Sequence, residues 1–74
     1  MMAEGKELLR AVADYVALDR IERADGVLDR PALDLREEAR RTLAAHGGVA
    51  VAAAFVAWDA AGRIAPDPRR RGKG

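Results

Sequence analysis

The residue types that nucleophilic catalysis draws on are reduced here to one threonine and one histidine, Thr42 and His46. Four residues apart on a helix they share a face, so a hydroxyl and an imidazole stand one turn from each other. That is too little for an acyl-transfer site, which needs a nucleophile, a base and a third group to orient the base. The chain has no Cys, Ser, Asn or Gln to complete one. A lone histidine near a helix C-terminus is instead favoured by the helix dipole, so both residues are expected to be structural, and no catalytic residue is assigned.

Metal chemistry fails on the same inventory. With one His and no Cys, a site would have to be built from carboxylates, and the Glu-x-x-His spacing of helical di-iron proteins does not occur. Glu37 and Glu38 are adjacent, so on a helix their carboxylates diverge, and pairing with Arg40 and Arg41 is expected. No metal and no cofactor are expected. The missing cysteines also exclude disulfides and thiol redox chemistry. Asp19, beside Tyr15 on a mostly apolar face, is the one carboxylate whose surroundings suggest acid–base work. An ion pair with Arg23, one turn on, accounts for it more simply.

Two further features touch on nucleic acid. Gly47-Gly48 ahead of a helix has the look of an anion-binding turn, but it lacks a preceding strand, a third glycine and a phosphate-binding lysine. As the turn of a helix-turn-helix it would introduce a helix bearing Val, Ala, Phe and Trp, none able to read a base edge. The C-terminal stretch is a better candidate. Residues 63–74 hold five basic side chains against Asp67, a net of +4, while residues 1–62 hold eight basic and eleven acidic ones, a net of −3. Arg69, Arg70, Arg71 and Lys73 could contact a phosphate backbone or an acidic protein. The acidic body would repel a polyanion, and Tyr15, Phe55 and Trp58, the aromatics present, all fall in helices rather than on a stacking surface.

The elements that carry these residues follow from periodicity. Leu8, Leu9, Val12, Tyr15 and Val16 recur at helical steps, predicting a helix over residues 4–25 that Gly26 ends, with Val27 folding back onto it. Pro31 favours an extended Arg30. Asp34 and Glu37 then read as a D-x-x-E cap opening a second helix to about His46. The third segment, residues 49–61, begins with ten consecutive apolar residues, Val49–Trp58. Its alanine run favours helix over strand. On that helix Val51, Phe55 and Trp58 form a bulky ridge and Ala50, Ala54, Ala57 and Ala61 a smooth stripe, while Val49 and Val56 lie nearly opposite the ridge.

A helix that is apolar all round must be covered all round, and two companions with single apolar faces cannot do it. Chains of this length are marginal without reinforcement, and oligomerisation is the reinforcement the composition leaves open. The expected fold is therefore all-α, a small three-helix domain (a helical hairpin plus an N-terminal helix) over residues 1–64, with residues 65–74 as a disordered basic tail. The third helix is expected to be central and shared in a helical homo-oligomer. Its interface would use Val51, Phe55, Trp58, Ala54 and Ala57, with the aromatics as anchors. Neither a secretory leader nor a membrane span is expected, since spanning takes about 20 apolar residues, so the chain reads as cytoplasmic. The function these features suggest is non-enzymatic: a homo-oligomeric protein–protein interaction or regulatory protein, or a subunit of a larger assembly. The alternative is a nucleic-acid accessory protein acting through its arginine-rich tail.

Overall fold

The computed structural model describes residues 2–73, with side chains from 5 to 70. Three α-helices follow one another, α1 (Met2–Asp25), α2 (Arg30–Ala45) and α3 (Gly47–Ala60), and a short 3₁₀ helix, Pro68–Lys73, closes the chain. The domain is all-helical, and no strand occurs among the described residues.

α1 is the central helix, because it is apolar on two sides. Leu8 and Val12 face α3 and make one cluster with Ala54, joined by Val16, Leu43, Ala50, Val51 and Trp58. Two turns further on, Leu18 faces α2 and packs with Leu28 and Ala32, joined by Ile21 and Leu35. Val12 and Leu18 are fully buried. The expectation that α3 is central is thus corrected within the chain: Ala54 is its one buried residue. The second side of α1 is built largely from Ala11, Ala17 and Leu18. Small alanines left it inconspicuous beside the Leu8–Val16 stripe.

The start of α2 differs from the sequence reading by a full turn. Asp29, in extended conformation, is the N-cap, and its carboxylate accepts a 3.0 Å hydrogen bond from the Ala32 N–H. Pro31 lies inside the first turn, where a helix N–H has no partner to lose and a fixed φ helps. Asp34, expected as the cap, is an exposed helical residue 3.4 Å from the Arg30 guanidinium. Ahead of this helix Gly26 does take the left-handed conformation, at φ 89°. Val27, however, stays 75 % exposed, and Leu28 goes inside in its place.

α2 and α3 share a single residue, His46, as C-cap and N-cap, and the chain turns there by 118°. Gly47 carries the turn at φ 77°, a region that side chains with a Cβ rarely enter. A corner of one residue cannot fold two helices flat against each other. The expected hairpin is accordingly an open elbow, with α2 and α3 each packed on α1 far more than on one another. α3 ends in a Schellman arrangement: Arg63 N–H donates to the Trp58 carbonyl and Gly62 N–H to that of Asp59, with both Gly62 and Arg63 left-handed. Among the described residues no single helix is long and apolar enough to cross a membrane.

Candidate functional site

The residues that could have done chemistry are occupied by the fold. His46 Nδ1–H donates to the Thr42 carbonyl at 2.7 Å, and the Thr42 hydroxyl donates to the Glu38 carbonyl at 3.1 Å. Both side chains thereby serve backbone carbonyls of the last turns of α2. Asp19 pairs with Arg23 at 2.9 Å, as the spacing predicts. Glu37 is gripped by the Arg40 guanidinium, with Arg41 3.6 Å away, and the hydrogen bond from Arg40 holds its carboxyl below the usual carboxylate range. No cluster of three or more potential metal ligands occurs among the described residues. The sequence reading passed over two polar features. Asp14 is buried and engaged on the Ala11–Leu18 side of α1, a position its spacing from those two residues marks. Arg36 of α2 reaches Glu22 of α1 at 2.5 Å, and this carboxylate partner raises the guanidinium's pKa further.

The surface of α3 is what remains unspent. Of the five residues expected at an interface, Ala54 is buried inside the chain, while Val51 and Trp58 turn inward against the Leu8–Val12 cluster. Phe55, at the edge, is 38 % exposed and meets Trp58 edge-on, with ring centroids 6.3 Å apart. Ala57 is exposed. Trp58 also closes its own helix end, donating its indole N–H to the Ile64 carbonyl at 2.8 Å. With the ridge turned inward, the opposite row faces solvent: Val49 is 90 % and Val56 69 % exposed. At 100° per residue Ala53 and Ala60 fall on the same line. Beside this row an apolar groove of about 490 Å³ runs along the first turns of α1, between Leu9 and Lys6 on one wall and Ala50, Ala53 and Ala57 on the other.

The basic segment is not free of the body. Pro68 is buried, and the 3₁₀ helix rests against α1. Asp67 takes both arms of the Arg69 guanidinium, at 3.0 and 2.8 Å, and accepts from the Arg69 backbone N–H as well. These bonds hold the Asp67 carboxyl below its ordinary pKa. Arg69 also feels the weaker attraction of Asp29 and Asp25. Arg70 is exposed, whereas the side chains of Arg71 and Lys73 lie outside the described residues. The 118° elbow lies within the range of a helix-turn-helix. Its outward row of Val49, Ala53 and Val56 offers a base edge no donor or acceptor.

No protein family matches this chain, and no curated protein or solved structure matches it either.

Proposed function

We propose that this is a small non-enzymatic interaction protein, working in the cytoplasm, whose α3 surface joins it to copies of itself or into a larger protein assembly. One observation carries the reading: two valines, 90 % and 69 % exposed, lie in line on a helix that has no charged side chain from Gly47 to Trp58. Isolated apolar residues on a surface are ordinary. A row of them continuous with an apolar groove, on the least polar helix of the chain, is the kind of patch that marks protein contact. A regulatory or scaffolding role fits such a surface, and Thr42, His46, Asp19 and Glu37 are tied to backbone or to arginine.

The test is native mass spectrometry and sedimentation of the wild-type chain beside Val56→Asp. A charge at this exposed position leaves the packing of α1 on α3 untouched, so helicity should be unchanged. The wild type is expected to run as a complex and the variant as a monomer. A wild-type chain that remains monomeric up to submillimolar concentration, with no partner in the assembly it is purified from, would overturn the proposal.

A further inference from the structure

We infer that the occupant of the α3 row is the α3 helix of a second copy, lying antiparallel across a two-fold axis midway between Ala52 and Ala53. This rests on the reading of α3 as an interface and adds to it the partner and the register.

Charge narrows the partner to α3 itself. An uncharged row is best covered by another uncharged row, since a buried unpaired charge is costly. The outward faces of the other two helices are charged, with Lys6, Glu7, Arg10 and Arg20 on α1 and Arg30, Asp34, Glu38 and Arg41 on α2. Among the described residues of this chain, only α3 offers its own length of apolar surface to match α3.

The pattern along the helix then selects the direction. Reversal about the Ala52–Ala53 midpoint sets Val49 against Val56 of the partner subunit, and Val56 against the partner subunit's Val49. The alanines meet at the centre, where small side chains allow the two axes to approach closely. Opposed helices also set their dipoles in the favourable sense. Asp59, at the C-terminal end of α3, is already paired with Arg63 of its own chain, so the spacing of the valines and the sense of the dipoles carry the direction.

The absence of cysteine makes the register directly measurable. Ala53→Cys, next to the axis, should form a disulfide-linked dimer on mild oxidation. Val49→Cys and Val56→Cys should each fail to link with themselves, because like positions would stand about 10 Å apart along the axis at 1.5 Å per residue. That exceeds what a disulfide spans. An equimolar mixture of the two should link. Both valines are exposed in the single chain, so the variants should fold, and circular dichroism checks that they do. Self-linking by each valine variant would replace antiparallel with parallel pairing and overturn the inference. A wild-type dimer in native mass spectrometry with no linkage in any variant would place the contact elsewhere, overturning the register while leaving self-association intact. A wild-type monomer would overturn both.

Discussion

Trp58 shows how one side chain can hold two parts of a chain together. Its ring lies half-buried against Leu8, Val12 and Ala54, and its indole N–H reaches the Ile64 carbonyl. It anchors the chain's own core and fastens the segment leaving α3. The sequence showed a large aromatic on an all-apolar helix, but not which side of that helix α1 would take. Trp58→Phe keeps a ring against Phe55 and removes the hydrogen bond. We expect a loss of about 1–2 kcal/mol in urea unfolding, combining one hydrogen bond with a little lost burial. Trypsin cleavage after Arg63 should quicken, because the segment between α3 and the 3₁₀ helix then loses its indole tie to Trp58. A variant with unchanged stability and unchanged cleavage would show that the indole bond contributes nothing in solution.

At the scale of elements, the helices were legible wherever apolar residues recur at helical spacing and a glycine stops them. α1 and α3 have nearly the expected extents, and Gly26 and Gly47 have the left-handed conformations their positions imply. The start of α2 was not legible, because a proline has two opposite meanings. It bars the residue before it from an interior turn, yet it suits the first turn of a helix. The sequence reading took Asp34 as the cap, whereas Asp29, five residues earlier, caps the helix, and packing decides between the two. Starting at Arg30 buries Ala32 completely beside Leu18 and Leu28, and starting later would leave that contact unmade. The two caps separate by mutation. Asp29→Ala should cost about 1 kcal/mol, the usual loss for an N-cap. Asp34→Ala should be close to neutral, since it removes only an exposed 3.4 Å pair with Arg30. Equal losses in the two variants would return the helix start to Asp34. The candidate surface was legible by half in the same way. The sequence set Val49 and Val56 opposite the bulky ridge, and only the position of α1 decides which of the two faces is left outside.

For the molecule as a whole, the division of charge between body and tail bears on what it can bind. A tail of net +4 on a body of net −3 has the form of an electrostatic arm, but here the arm lies on the body. Pro68 is buried, Asp67 holds Arg69 by paired hydrogen bonds, and Asp29 and Asp25 stand near enough to attract it. A phosphate backbone would have to displace these carboxylates to win Arg69, and the remaining charge of the body would oppose its approach. Few phosphates could be neutralised that way, so little counterion release would drive binding and affinity for a polyanion would be low at physiological salt. We therefore expect the full chain and a variant lacking residues 66–74 to elute together from immobilised duplex DNA at physiological ionic strength. The shortened chain should lose a little stability as the 3₁₀ helix leaves α1, and it should keep its oligomeric state, because the α3 row is untouched. Asp67→Asn sharpens the comparison by releasing Arg69 without shortening the chain. Salt-dependent retention of the wild type that disappears on deletion and strengthens in Asp67→Asn would make the tail a nucleic-acid contact and the internal clasp its restraint.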